Sequence, residues 1–306
     1  MSQERNFSVV VVGSTMIDLI SYLPRVPEVG ETVVGDSFQM TFGGKGANQA
    51  IMAATLGSNV GFINCLGQDT YGEEYRRNLE QYDIDISFLT VGELPTGVAT
   101  ILVEENGANR IVIVPGANFE LAPEIAEQGI LSLRPSVVVG QLEISAQTTI
   151  AAFKAGKEIG ATTVLNPAPA TDDSALPSEL LELTDWLIPN ENEFHALANE
   201  EVSEGAVRSF ARKHKIKLVV TVGEEGAILA DTEGEIIHFP APTVTAVDTT
   251  GAGDAFVGAF AHGLSTGLNP KDAISLAIDR ASDSVTRKGT QISYSSDGAY
   301  FCCQKK

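Results

Sequence analysis

The stretch Val247-Asp248-Thr249-Thr250-Gly251-Ala252-Gly253-Asp254, running into Ala255-Phe256-Val257-Gly258-Ala259-Phe260, decides how the rest of the chain is read. Residues 243–247 before it are rich in β-branched side chains and read as extended chain. The small apolar run after it contains no proline and predicts a buried helix. Between them lies a turn of small residues. Such a turn leaves the first N–H groups of the helix unpaired, at the positive end of its dipole, and so makes an anion site. Asp254 is out of place there as an anion binder, but it is well placed as a base beside a reacting anion. Helix capping by Asp254 is the competing reading, because Asp is a favoured N-cap residue. Local sequence leaves both open. A dinucleotide fingerprint is set aside, since Phe256 stands where its third glycine belongs.

A chain of 306 residues can bury a sizeable core. Its apolar content of 43% and charged content of 20% are ordinary for a globular enzyme. A formal charge of −20 repels a polyphosphate backbone, which argues against nucleic acid as a partner. Any anionic ligand must be held locally, by backbone N–H groups, a few basic side chains or a metal ion. Cys65, Cys302 and Cys303 show neither metal spacing nor a disulfide framework, so a reducing compartment is expected. The polar start and the absence of a membrane-length apolar run lead to the expectation of a cytoplasmic protein without a membrane partner.

Strand and helix signals alternate along most of the chain. Phe7–Val12 is a continuous apolar run, consistent with a strand buried on both faces. Asp18 follows its carboxyl end, where ligands of parallel α/β sheets bind. Residues 22–39, broken by Pro24, Pro27 and Gly30, read as a short inserted strand or hairpin. Phe42-Gly43-Gly44-Lys45-Gly46-Ala47-Asn48-Gln49-Ala50 then forms a second glycine-rich turn that opens a helix ending near Gly57. Its spacing is not that of a Walker A loop. Residues 59–66 predict a strand, 73–82 a helix and 83–90 an edge strand. Two β-branched runs around Glu105-Asn106-Gly107-Ala108 predict a hairpin. Further strands are expected at 136–140, 161–165, 185–188 and 218–222, with helices at 148–160 and 270–285. The expected fold is one doubly wound α/β domain over 1–306 with a mostly parallel sheet. A small β-sheet lid is inserted from about 17–42 and 96–115.

The strand tips divide into two chemistries. Asp18, Gly44, Lys45, Asn48 and Glu143 suit neutral hydroxyls. Residues 190–193, 221–226 and 248–254 supply Gly, Thr, Asn and acids, which suit phosphates and a metal. A polyol half beside a phosphate half points to phosphoryl transfer, which needs a base and charge stabilisation. Asp254 is the candidate base, and the N–H groups of Ala252, Gly253 and Asp254 the candidate anion hole. Glu193 would act on Mg2+ through water, because Mg2+ keeps much of its hydration shell.

With these residues in view, the chain resembles the PfkB-type carbohydrate kinases, and among them the ribokinases, over residues 9–293. The resemblance rests on the 43–50 and 248–254 motifs quoted above. It is strengthened by Asn166-Pro167-Ala168-Pro169, by Asn190 with Glu193, by Gln141-Leu142-Glu143, and by Thr286-Arg287-Lys288-Gly289-Thr290-Gln291. It implies ATP-dependent phosphorylation of D-ribose at the 5-hydroxyl, with Asp254 taking the proton and Gly251 shaping the anion hole. It places ribose against Met16, Asp18, Gly44, Lys45, Gly46, Ala47, Asn48 and Glu143, under Ala99 and Ile101. ATP is implied at Asn190, at Thr221, Val222, Gly223, Glu224, Glu225 and Gly226, and near Gly253, Asp254 and Ile278. It further implies K+ on carbonyl oxygens of Asp248, Thr250, Ser284, Arg287, Gly289 and Ser293, and a homodimer through the lid strands. A kinase for deoxyribose, fructose or a nucleoside, and a non-catalytic sugar-binding protein on the same fold, are the alternatives.

Three positions depart from the pattern. Met16 stands where ribokinases often have Asn, two residues before the sugar-binding Asp. Ile278 stands where a nucleotide-contacting Asn is common, in a last helix made more charged by Asp279, Arg280 and Asp283. The tail beyond Tyr294 is short for a closing helix.

Overall fold

The computed structural model describes residues 7–170 and 176–296. The chain opens with β1 (Phe7–Val12), β2 (Met16–Leu23), β3 (Ser37–Gly43), α1 (Lys45–Thr55), β4 (Val60–Ile63), β5 (Cys65–Gly67) and α2 (Thr70–Glu80). Next come β6 (Thr90–Gly92), β7 (Val98–Glu104), β8 (Asn109–Val114), α3 (Pro123–Leu133), β9 (Pro135–Gly140), α4 (Ala146–Glu158) and β10 (Thr162–Leu165). Then follow α5 (Ser178–Glu182), β11 (Trp186–Leu187), α6 (Glu191–Ala198), α7 (Glu204–His214) and β12 (Lys217–Thr221). The series closes with β13 (Ala227–Ala230), β14 (Ile236–Phe239), α8 (Ala252–Ser265) and α9 (Pro270–Ser284).

Eight strands form the main sheet in the order β14-β13-β12-β11-β10-β9-β1-β4. From β4 to β12 all pairings are parallel, and β13 and β14 add an antiparallel edge. The strand pleat explains the two cores. Val9 and Val11 face a cluster that includes α1, α8 and α9 residues, whereas Val10 and Val12 face one containing Phe153, Phe194 and Phe210. Helices therefore cover both faces of a doubly wound sheet.

A separate four-stranded sheet runs β3-β2-β7-β8. Its register sets Asp18 beside Ala99 and Ile20 beside Ile101, and opposes Met16 to Gly43. The hairpin turn lies where Asn106-Gly107 predicts it, with Gly107 at φ 83°.

Local chemistry explains where the elements depart from expectation. Of the edge strand expected over 83–90, residues 83–89 form none, and only Thr90 joins one, at the start of β6. Asp83 is left-handed at φ 55°, and the Asp85 carboxylate captures both the N–H and the hydroxyl of Ser87, so over 83–89 only an isolated bridge to Gly61 remains. The strand expected over 59–66 breaks at Asn64, because β4 pairs with β1 while β5 leaves to pair with β6. The helix expected from 73 begins at Thr70, where the Asp69 side chain accepts the Gly72 N–H at 2.8 Å. Residues 243–247, expected as extended chain, join no sheet, and Val247 lies at a bend. Cys302 and Cys303, and most of the tail beyond Tyr294, lie outside the described residues. Among the described residues no helix is long and apolar enough to cross a membrane.

Candidate active site

Helix α8 begins at Gly251, whose φ of 77° supplies the left-handed turn. Asp254 therefore lies in the first helical turn and is not the cap. Its carboxylate is buried and accepts the side-chain amides of Asn48 at 2.9 Å and Gln49 at 3.0 Å. Both donors sit in the first turns of α1, which packs closely enough on α8 that a Cβ on Gly258 would lie 2.5 Å from the Gln49 carbonyl. Among the described residues no acceptor takes the N–H groups of Gly253 or Asp254, whereas that of Ala252 turns to the Thr249 carbonyl at 3.3 Å. The free donors at this helix end are thus Gly253 and Asp254.

The amides around Asp254 are held in turn. Gln49 accepts from Gln141 at 2.6 Å and shares its own NH2 with Asn166 at 3.2 Å. Asn48 accepts from Gln291 at 2.9 Å, and Gln291 also donates to the Tyr75 hydroxyl at 2.9 Å. Tyr75 donates to the Gly43 carbonyl, on the strand before the first glycine turn.

Asp18, Lys45, Asn48 and Glu143 gather on one side of Asp254. A Cβ on Gly43 would stand 2.3 Å from an Asp18 oxygen, so only glycine leaves room for that carboxylate. Glu143 accepts the Lys45 N–H at 2.9 Å and the Ser14 hydroxyl. Burial lowers the affinity of Lys45 for its proton, but the charges of Asp254, Glu143 and Glu193 outweigh it and hold the ammonium above its ordinary range. Gly46 and Ala47, expected at the sugar, lie behind this surface. A Cβ on Gly46 would be 2.5 Å from the Ser14 nitrogen, and Ala47 is fully buried.

On the other side of the α8 terminus lies a cavity of about 810 Å3. Asn190, Thr221, Gly223, Glu224, Gly226, Gly253 and Ile278 line it. Asp254, Val222 and Glu225, also expected at the nucleotide, are not in its wall. Asp254 faces Asn48 and Gln49 instead, while Val222 and Glu225 build the turn below through the Val222 N–H to Gly226 and the Glu225 N–H to Val222. Ala241, Pro242, Thr243, Val244, Ala246, Phe256 and Ala281 also line it and were not picked out from sequence as nucleotide contacts. The extended character of 243–247 was their only signal. Glu193 forms a capping box with Asn190 at the start of α6, and burial raises its carboxyl.

The turns expected to hold a cation are tied together. Val285 accepts N–H groups from Val247 at 2.7 Å and Asp248 at 3.2 Å, and the Asp248 carboxylate accepts those of Thr250 and Gly289 at 3.0 Å each. Among the described residues no donor reaches the carbonyls of Asp248, Thr250, Arg287 or Gly289. The carbonyls of Ser284 and Ser293 differ, since both are engaged by Arg287, the first through its N–H and the second through its guanidinium.

Asp18 gives the site a titration. Burial first, then the charges of Glu143 and Asp254, push its carboxyl up to about 7. In the unfolded chain it titrates near ~3.9. Between these values the folded chain keeps a proton that the unfolded chain has lost. Stability of the ligand-free protein therefore falls as pH rises from about 4 to about 7, by on the order of a few kcal/mol. Asp18→Asn is expected to remove this component of the pH dependence. Urea unfolding of both proteins at pH 5, 6, 7 and 8 checks it, and parallel stability profiles would rule it out.

The sequence and the fold have counterparts among known proteins. The model of the pfkB family of carbohydrate kinases matches residues 6–297. A deoxyribokinase of Salmonella typhi is 39% identical over 297 residues, covering 94% of this chain and 95% of that one. A mouse ribokinase is 38% identical over 302 residues, covering 95% and 93%. The solved Arabidopsis thaliana ribokinase, complexed with ribose and ATP, matches with a TM-score of 0.84 at 32% identity, over 94% of this chain and 95% of that one. With both the sequence motifs and the ribokinase-like fold in place, the chain belongs to the PfkB family of carbohydrate kinases.

Proposed function

We propose that this carbohydrate kinase transfers the terminal phosphoryl group of ATP to the 5-hydroxyl of a ribose-type pentose, with Asp254 as the base. The observation that carries this reading is the position of the α8 terminus. Ala252 and Gly253 line the large cavity, while the Asp254 carboxylate one residue on meets the polar surface of Asp18, Lys45, Asn48 and Glu143. The cavity has the volume of a small-molecule site.

In this mechanism Asp18 and Glu143 accept ring hydroxyls and fix the sugar. Asn48 and Gln49 aim the Asp254 carboxylate at the primary hydroxyl. As the sugar oxygen bonds to phosphorus, its proton passes to Asp254 and the bond to the ADP oxygen breaks. The N–H groups of Gly253 and Asp254, with the helix dipole behind them, hold the transferring phosphoryl charge. Lys45 adds a fixed positive charge beside it.

Mg2+ fits this site as an ion that arrives on the nucleotide. Among the described residues no three acids or His and Cys side chains gather to cage a metal, and Glu193 is a single buried carboxylate beside the cavity. Bound there, Mg2+ would neutralise phosphate charge. K+ fits the unspent carbonyls of Asp248, Thr250, Arg287 and Gly289, where it would brace the turn that carries Gly251. The four-stranded sheet serves as a cover, and its edge strand β8 serves as a dimer contact. Ile111, Val112, Ile113 and Val114 are 39–63% exposed on that edge, an apolar run that an isolated monomer would leave open to pairing.

Asp254→Asn is expected to lower kcat by about 100-fold to 10,000-fold while sugar binding stays within a few-fold. Coupled ADP assays and calorimetry measure the two, and an active variant would remove Asp254 from the mechanism. Activity in K+ is expected to exceed that in Na+ at equal ionic strength; equal rates would discard the cation assignment. Sedimentation is expected to give a dimer for the native chain and a monomer for Val112→Lys. A native monomer at micromolar concentration would contradict the β8 contact.

A further inference from the structure

One short segment reaches both the amides around Asp254 and the turn that opens α8. Gln291 donates to the Asn48 side chain, whose own amide donates to Asp254. Further along the same segment, the Tyr294 hydroxyl donates to the Gly251 carbonyl at 3.0 Å. That carbonyl also accepts the Ala255 N–H at 2.8 Å, a bond that starts the helix. The segment lies against the turn itself. A Cβ on Gly251 would stand 2.2 Å from the Thr290 methyl and 2.9 Å from the Tyr294 oxygen, so only glycine leaves room for this contact.

Tyr294 is itself held from α9. Arg280, 2% exposed, donates to the carbonyls of Ser295 and Ser296 at 3.3 Å each, and its guanidinium pairs with Asp279. Arg287 donates to the Ser293 carbonyl at 2.9 Å and pairs with Asp283. The charges that set α9 apart in the sequence thus fix the carbonyls on both sides of Tyr294. Burial pushes the phenol well above its usual range, so it keeps its hydrogen and stays a donor at ordinary pH.

We propose that Tyr294 is a positioning residue for phosphoryl transfer. Its hydroxyl fixes the Gly251 carbonyl, and with it the direction of the free Gly253 and Asp254 N–H groups, while Arg280 holds Tyr294 in place. This rests on the kinase reading above. In an α-helix the carbonyls point one way along the axis and the N–H groups the other. Glycine at the start of α8 leaves the adjoining peptide freer to rotate than any other residue would. A second donor on its carbonyl removes that freedom. The N–H groups that follow are then aimed before the phosphoryl group arrives, and such preorganisation is what an anion hole contributes to rate. Tyr294 is not in the wall of the large cavity, so its loss falls on the transition state and not on binding of the nucleotide.

The test compares the native enzyme, Tyr294→Phe, Arg280→Lys and the double variant, with D-ribose or 2-deoxy-D-ribose as the sugar, whichever turns over faster. Coupled ADP assays give kcat and KM. Calorimetry gives binding of ADP alone, and of ADP with the sugar and aluminium fluoride, a mimic of the transferring phosphoryl group. One anion-hole donor is worth about 100-fold to 1,000-fold in kcat, and a group that aims such donors is expected to carry roughly 10-fold. Tyr294→Phe keeps the ring and its packing, and is expected to lower kcat by about 10-fold with KM for sugar and ATP within about 2-fold. Binding of the mimic is expected to weaken by a similar factor, and that of ADP alone to stay unchanged. Arg280→Lys keeps a charge beside Asp279 but loses the guanidinium fork, so it is expected to lower kcat in the same direction, and it serves if the Phe variant does not fold. The double variant is expected to fall no further than Tyr294→Phe, and additive losses would overturn the link through Arg280. A folded Tyr294→Phe with kcat within about 2-fold of native, or with equal losses for ADP and the mimic, overturns the role of Tyr294 and leaves the kinase reading standing. Turnover of neither sugar by the native enzyme overturns the pentose-kinase reading itself, and this role with it.

Discussion

The site depends on how closely α1 can approach α8. Gly258 removes the side chain that would collide with the Gln49 carbonyl, and the two helices meet at backbone distance. That approach brings two amides from α1 onto a carboxylate in the first turn of α8. A buried carboxylate without such donors is costly to keep ionised. Here the amides and the helix dipole act together on one group, so a packing contact in the core sets the electrostatics at the cleft.

Around that contact the protein concentrates acids against a single ammonium. Asp18, Glu143, Glu193 and Asp254 all act on Lys45 or on one another. The ligand-free site gathers acids in a buried place, and in the proposed function the hydroxyls of a bound sugar would donate to them. Sites arranged this way trade folding stability for binding. The glycines of the 43–46 turn make that crowding possible, because they leave space for the Asp18 carboxylate and for the backbone at Ser14.

Much of this was legible in the sequence, because its signals are local. The two glycine turns, the Asn106-Gly107 hairpin and the polar tips after apolar strands mark the doubly wound sheet and place Asp18, Lys45, Asn48, Glu143 and Asp254 at one edge. What was not legible depends on contacts across the chain. Gln49, Gln141 and Gln291 belong to motifs that the sequence marks and Tyr75 to a predicted helix, yet nothing local says that they form the network behind Asp254, joining positions as far as 243 residues apart. The break at Asn64 depends on which strand each half pairs with, and hydropathy does not carry that. Gly46 and Ala47 belong to a motif read as contacting ligand, but the motif does part of its work by close packing behind the site.

The amide chain has one more consequence, for the traffic of protons. Asn48, Gln49, Gln141, Asn166 and Gln291 carry no group that ionises at ordinary pH, and the Tyr75 phenol, pushed well above its usual range by burial, keeps its hydrogen. The wall behind Asp254 is therefore an insulator. On the proposed mechanism, a proton taken up by Asp254 finds no ionisable group among these amides and returns by the cleft, with the departing product or the water that replaces it.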